Sequence, residues 1–226
     1  MTDSGAKTPR ERYRTQVREE VKEHAWEQIA SAGASALSLN AIAKRMGMSG
    51  PALYRYFASR DELLTELIRD AYRSLADTLQ RAAGPGAGPA ELALVLRRWA
   101  LDDPQRYLLL YGTPIPGYHA PDDTTAISSE VMGLLLDACA TVPPRITRPA
   151  SSTAFTAHLE GHRQWADGHP APPEVLHRAL SFWTRLHGVL SLELAGHFAG
   201  MEFDPALLYA AELGDLLGDG SHPPPS

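Results

Sequence analysis

Apolar residues recur every three or four positions along most of the chain, and strand-like alternation is absent, so the pattern predicts an all-α fold. Val17, Val21, Ala25, Ile29 and Ala32 draw one stripe along a first helix, from about Arg14 to Ala32, with Gly33 as its stop. Ser38 is suited to cap a second helix whose inner face is Ala41, Ile42 and Met46, and Gly47 supplies the turn that follows. Ser49 is suited to cap a short third helix, where Pro51 falls in a first turn that needs no amide donor. Ser59, with Glu62 three residues on, has a capping-box pattern, and Leu63, Leu67 and Leu75 carry the fourth helix to about Ala83. Further helices are expected at approximately 90–101, 104–112, 124–141, 151–167, 173–200 and 205–217.

Breaks rich in proline and glycine separate these segments at 114–121, 143–149, 168–173 and from 218 on. The strongest is Gly84-Pro85-Gly86-Ala87-Gly88-Pro89, which no helix crosses, and the domain boundary is placed there. The expected division is a flexible basic arm (1–12), a three-helix helix-turn-helix unit (13–58), a connecting helix (59–83), a C-terminal helical bundle (84–218) and a disordered tail (219–226).

With 226 residues, 44% hydrophobic and 21% charged, the chain has the composition of a globular protein with a substantial core. No apolar run approaches the roughly 18 residues of a membrane span, and the polar N-terminus does not read as a secretory signal. The single cysteine, Cys139, makes no internal disulfide, which fits a reducing cytoplasm. A net charge of −6 argues against nucleic acid, but it is unevenly spread. Residues 1–80 hold 12 Lys+Arg against 11 Asp+Glu, whereas 81–226 hold 9 against 16. Lys7, Arg10, Arg12, Arg14 and Arg18 lead into the helix-turn-helix segment, and the acidic remainder repels a nucleic acid from the wrong surface.

The third helix has what a DNA major groove about 12 Å wide requires. Gly50, Pro51 and Ala52 at its head are small enough for close approach, and Pro51 or Ala52 can pack on a thymine methyl. Tyr54 and Tyr56 lie about 200° apart around the helix and splay toward the groove walls, where each phenol can meet a phosphate. Arg60 and the amides at the head of the fourth helix offer further anion sites. Asn40 can reach a base edge, and Ser38 a phosphate. The competing interpretation is a core hairpin with buried tyrosines. Leu53 and Phe57 already fill the inner face, however, and Arg55 between the tyrosines is hard to bury.

Residues 13–82 resemble the N-terminal domain of tetracycline-repressor-type (TetR family) transcriptional regulators. The resemblance is carried by Ile42-Ala43, Gly47-Met48-Ser49, Ala52 to Phe57, and Ser59 to Leu64. It implies a homodimer that binds a pseudo-palindromic operator in double-stranded DNA, acts as a repressor and is released by a small molecule. The DNA contacts it implies fall on Ser38, Asn40, Gly50, Pro51, Ala52, Tyr54, Tyr56 and Arg60, with Ser49 at the turn. Family members often carry a longer, base-reading side chain where this chain has Gly50. More loosely, Phe182 to Leu194 resembles the Trp…His-Gly (WHG) segment of one class of C-terminal domain.

The C-terminal half also concentrates Trp99, Tyr107, Tyr111, Phe155, His158, His162, Trp165, Trp183 and His187, a set suited to a pocket for a hydrophobic or amphipathic effector of unknown identity, or to plain core. His158 and His162 share a helix face but lack a third metal ligand, so no metal or cofactor is expected. Leu176, Leu180, Leu190, Leu194, Phe198, Leu208 and Ala211 on the last two helices are the candidate dimer face, as half of a four-helix bundle. No P-loop, G-x-G-x-x-G or G-x-S-x-G is present, and enzymatic function is not expected. The alternative to a regulator is a helical scaffold with a degenerate DNA-binding head.

Overall fold

A computed structural model describes residues 8–84, 87–143 and 150–218. Among them are ten α-helices: α1 (Pro9–Ala32), α2 (Leu39–Arg45), α3 (Gly50–Leu53), α4 (Arg60–Ala82), α5 (Pro89–Asp102), α6 (Pro104–Tyr111), α7 (Asp122–Ala140), α8 (Ala150–Gly161), α9 (Pro173–Leu194) and α10 (Pro205–Leu217). Lys7, the breaker residues Pro85 and Gly86, part of the 143–149 break and the expected tail at 219–226 lie outside the described residues. The chain forms two compact units, one taking the residues up to Asp70 together with Thr113–Pro121, the other Ala71–Gly112 and the residues from Asp122 on. By packing, the division therefore falls within α4.

In the first unit α1 starts earlier than its apolar stripe indicates. The Thr8 amide donates to Glu11 Oε2 (2.7 Å) and the Glu11 amide to Thr8 Oγ1 (3.3 Å), a reciprocal cap that makes Arg10 and Arg12 helical. The inner face of α2 is Leu39, Ile42 and Ala43; Ala41 is exposed and Met46 half-buried. Leu39, just after the cap, completes an i, i+3, i+4 stripe that excludes Ala41. Ser49 takes the cap position of α3 with extended backbone, but its side chain makes no capping hydrogen bond. At the head of α4 the Glu62 amide donates to Ser59 Oγ (3.0 Å), while the Glu62 carboxylate accepts from Ala58 instead of Ser59 (2.6 Å). Ala25, Ile42, Leu53, Phe57, Leu63, Leu64 and Leu67 are completely buried, each large member contributing about 1.5–3 kcal/mol.

Arg18 fastens α1 to the segment after α3. Its guanidinium donates to the Tyr56 carbonyl, lies 4.1 Å from the Phe57 ring centroid and pairs with Glu66 at 3.3 Å. Tyr118, from the 113–121 segment, meets Thr65 Oγ1 at 3.0 Å.

The second unit packs α5, α7, α8 and α10 around α9, with Leu136, Leu176, Phe182 and Leu190 at its centre. Tyr209 donates to the Ala93 carbonyl (2.7 Å), and Arg97 forms a two-pronged pair with Glu193, one arm at 2.9 Å. Arg178 donates to the carbonyls of Cys139, Val142 and Pro143, closing the C-terminal end of α7. Two helices depart from the expected lengths. α9 stops at Leu194, not near 200, because the Gly196 amide returns to Glu193 and the His197 amide to Leu192, a glycine-dependent closure with φ +77° at Gly196. α8 stops at Gly161, and a separate short turn covers Gln164–Ala166.

Candidate functional site

The helix-turn-helix candidates all lie in the first unit. Ser38 accepts from the Ala41 amide (3.3 Å), so its hydroxyl caps α2, and Gln28 clasps its backbone, Oε1 accepting from the Ser38 amide at 2.9 Å. Asn40, Ser49 and Pro51 are exposed; Gly50 and Ala52 are half-buried. Asn40 leans over the head of α3. A Cβ added at Gly50 would stand 3.3 Å from Asn40 Oδ1, a tight contact that a small shift of the Asn40 side chain would have to relieve. Tyr54 is 45% exposed and Tyr56 half-buried, while Leu53 and Phe57 on the opposite face are fully buried. The helix is only four residues long, and the two tyrosines fall in the turn after it, fixed by the Tyr56 amide donating to Leu53 (2.8 Å).

Arg60 is held by backbone carbonyls. Its Nη2 donates to the Ala34 and Ser35 carbonyls (3.0 and 3.3 Å) and its Nε to that of Leu37 (3.2 Å), tying α4 to the link between α1 and α2. Three cations outside the predicted set are exposed nearby in sequence: Lys44 and Arg45 at the end of α2, the latter paired with Glu27 at 2.9 Å, and Arg55 between the tyrosines. Their signal was present: a basic residue flanking an otherwise apolar turn has no core to enter.

The aromatic and histidine candidates of the second unit separate into groups. Tyr107, Tyr111, Trp183 and His187 come together, with ring centroids of Trp183 and Tyr111 at 4.0 and 4.4 Å from that of His187. Tyr72, not foreseen, joins at 6.2 Å from Tyr111. The Tyr107 hydroxyl lies 3.0 Å from His187 Nδ1 and 2.9 Å from Ser191 Oγ. Burial pushes the Tyr107 phenol up to about 12 and the His187 imidazole down to about 4, so both are neutral near pH 7. Trp99 is buried apart from this cluster, its indole donating to Ser74 Oγ (3.1 Å). Phe155 and His158 lie on an exposed face of α8 and His162 just beyond its end, where the two imidazoles stack at 3.8 Å, and Trp165 donates to the His162 carbonyl (3.1 Å). Among the described residues, no third metal-ligating group joins them.

Trp183 also borders an apolar cavity of ≈ 30 Å³, walled by Leu92, Leu96, Val131, Leu135 and Phe182 among others. That is room for about two waters, so the walls must give before a larger guest enters.

Of the candidate interface residues, Leu176 and Leu190 are completely buried in the unit's own core and unavailable to a partner. They fall on the side of α9 facing its neighbours, and periodicity alone cannot distinguish a core stripe from an interface stripe. Leu180, Leu194, Phe198 and Leu208 are half-buried, and Ala211 is exposed. On the same two helices Leu192 (45%) and Leu207 (70%) are exposed apolar residues.

Comparison with known proteins decides the affiliation. Residues 23–67 match the model for bacterial regulatory proteins of the tetR family, and residues 89–216 match a tetracyclin repressor-like C-terminal domain. The chain belongs to the TetR family. The HTH-type transcriptional regulator Rv1816 of Mycobacterium tuberculosis is 38% identical over 211 residues, spanning 88% of this chain and 90% of that protein. The crystal structure of SCO4313, described only as a regulatory protein, is 71% identical, superposes with a TM-score of 0.84 and covers 93% of this chain and 100% of its own. The TetR family transcriptional regulator PfmR of Thermus thermophilus shares the fold at 18% identity and a TM-score of 0.55, over 88% of this chain and 97% of its own. The first unit thus carries the family's DNA-binding domain, and the protein is a TetR-family transcriptional regulator. No helix among the described residues is long and apolar enough to cross a membrane.

Proposed function

We propose that the protein represses transcription by binding a pseudo-palindromic operator as a homodimer, and that a small hydrophobic or amphipathic molecule in the second unit releases it. The observation that carries the DNA half is the division of labour across α3 and its following turn. Leu53 and Phe57 are fully buried, while Pro51, Tyr54 and Arg55 face solvent, leaving groups that can meet sugar-phosphate and base edges. Ser38, Asn40, Ser49, Gly50, Ala52 and Tyr56 complete the contact set, with Lys44 added. The Arg60 guanidinium, already committed to three carbonyls, acts mainly by positioning.

The ligand half is supported by the neutral ring cluster and the apolar cavity that meet at Trp183. A dimer is supported by the solvent-facing apolar strip of α9 and α10, where Gly188, Leu192, Ala195, Leu207 and Ala211 are exposed. Helix α4 runs unbroken from Arg60 to Ala82 and so contributes residues to both units, making it the element through which occupancy reaches DNA affinity. A ligand that prefers the released state ~100-fold supplies about 2.7 kcal/mol of coupling.

The test is capture of genomic DNA by the purified protein, followed by gel shift on the recovered sites. A sequence-specific shift that Tyr54→Phe weakens on all sites alike supports the proposal, since a phosphate contact carries no code. Failure to enrich any site would instead support the scaffold alternative.

A further inference from the structure

Two buried polar atoms in the ring cluster of the second unit have no hydrogen-bond partner: the Tyr111 hydroxyl and Nε2 of His187. Their rings are in edge-to-face contact, 4.4 Å between centroids. Buried polar atoms in native proteins are nearly always satisfied, and each exception needs an explanation. Nothing else on His187 is spare, because its Nδ1 already faces the Tyr107 hydroxyl at 3.0 Å. Trp183 covers the same imidazole and also walls the apolar cavity, so one indole stands between the unpaired polar atoms and the apolar space.

We propose that Tyr111 and His187 are the head-group anchor of the effector site, which takes an uncharged hydroxyl or carbonyl oxygen carried on an aliphatic body that passes Trp183 into the cavity. The proposal rests on the ligand-responsive reading above and adds the chemistry of the guest. A neutral oxygen suits the atoms available. A hydroxyl both donates and accepts, so it satisfies Tyr111 and Nε2 whichever nitrogen of His187 holds the proton. A charged head does not suit them. The cluster of Tyr72, Tyr107, Tyr111, Trp183, His187 and Ser191 contains no formal charge at neutral pH, and burial holds the imidazole in its neutral form. A carboxylate or ammonium brought here would lose its water without gaining a counter-ion.

The experiment uses 1-octanol and sodium octanoate at pH 7.5 as probes, with binding to the full chain followed by calorimetry and indole fluorescence. Octanol is expected to bind saturably, and octanoate at least tenfold more weakly. Tyr111→Phe is expected to weaken octanol roughly tenfold while leaving the thermal midpoint of the free protein unchanged or raised, since it deletes an unpaired buried hydroxyl. Trp183→Phe is expected to abolish most of the fluorescence response. Equal binding of octanoate, unchanged binding to Tyr111→Phe, or no saturable octanol binding up to its solubility would each overturn the proposal; the last is what a site filled by water alone would give. A parallel gel shift keeps the two readings apart. Octanol that binds as described without weakening the operator complex refutes release by ligand and leaves the anchor standing.

Discussion

His187 shows at the residue scale how burial converts an ordinary side chain into a pH-dependent element. The Tyr107 hydroxyl approaches its Nδ1, and Trp183, Tyr107 and Tyr111 crowd its ring. Burial lowers its pKa from 6.5 to about 4, so the unfolded chain takes up a proton at a higher pH than the folded one. This contribution to stability is complete above about pH 6.5 and is lost as pH falls through about 4, amounting to about 3 kcal/mol. Urea midpoints at pH 7.5 and 4.5 test this, and His187→Asn is expected to flatten the difference between them. Arg60 makes the complementary case. Sequence placed it among the phosphate contacts, because a cation at a helix head beside a DNA-binding motif has that role in the family. Within the protein its guanidinium also donates to the carbonyls of Ala34, Ser35 and Leu37, backbone atoms with no sequence signature. Arg60→Ala should therefore cost about 1.5–3 kcal/mol of stability in urea titration. A purely phosphate-binding arginine would leave stability unchanged and lower only the salt dependence of DNA binding.

At the scale of elements, what sequence disclosed was local chemistry. The Ser38 cap, the Gly33 stop, the starts of α5, α6 and α10 at proline, and the all-helical character were legible because each depends on neighbours a few residues away. The inner face of α2 was not, because several continuations of a helical stripe are locally equivalent until packing selects one, whereas the end of α9 was a local signal, Gly196, that the longer stripe obscured. The turn between α2 and α3 belongs to the legible class. The Gly47 amide returns to Lys44 and the Met48 amide to Ala43, with φ +66° at Gly47. A Cβ there meets nothing within 4 Å, so the cost of Gly47→Ala is conformational and not steric. It should destabilise the first unit by about 1 kcal/mol and, by altering the turn that aims α3, reduce operator affinity at a temperature where the variant remains folded. A thermal melt and a gel shift on the same preparation check both halves. An unchanged midpoint would mean the turn relaxes into another geometry.

At the scale of the whole molecule, the remaining question is what covers the apolar strip of α9 and α10. Exposed Leu, Ala and Gly at helical spacing leave flat, small-residue surface of the kind that lets helices from two chains approach closely. The sequence pointed to these two helices, but it could not separate core from surface positions, because Leu176 and Leu190 have the same period as the interface candidates and differ only in which way the helix is turned. Leu207, at 70% exposure, is the most accessible of the large apolar residues on the strip, so its replacement leaves the protomer's core intact. Leu207→Glu places a charge where a twofold interface would bring it near its own copy, and the chain already carries a net charge of −6. Sedimentation should then show monomers at concentrations where the parent chain is dimeric, with the melting midpoint of the monomer close to that expected for an exposed substitution. Operator affinity should fall far more than affinity for nonspecific DNA, because two half-sites contribute together only when two DNA-binding units are joined. A variant that remains dimeric with full operator affinity would move the interface off α10, and a parent chain that sediments as a monomer while still binding its operator would remove the dimer from the mechanism.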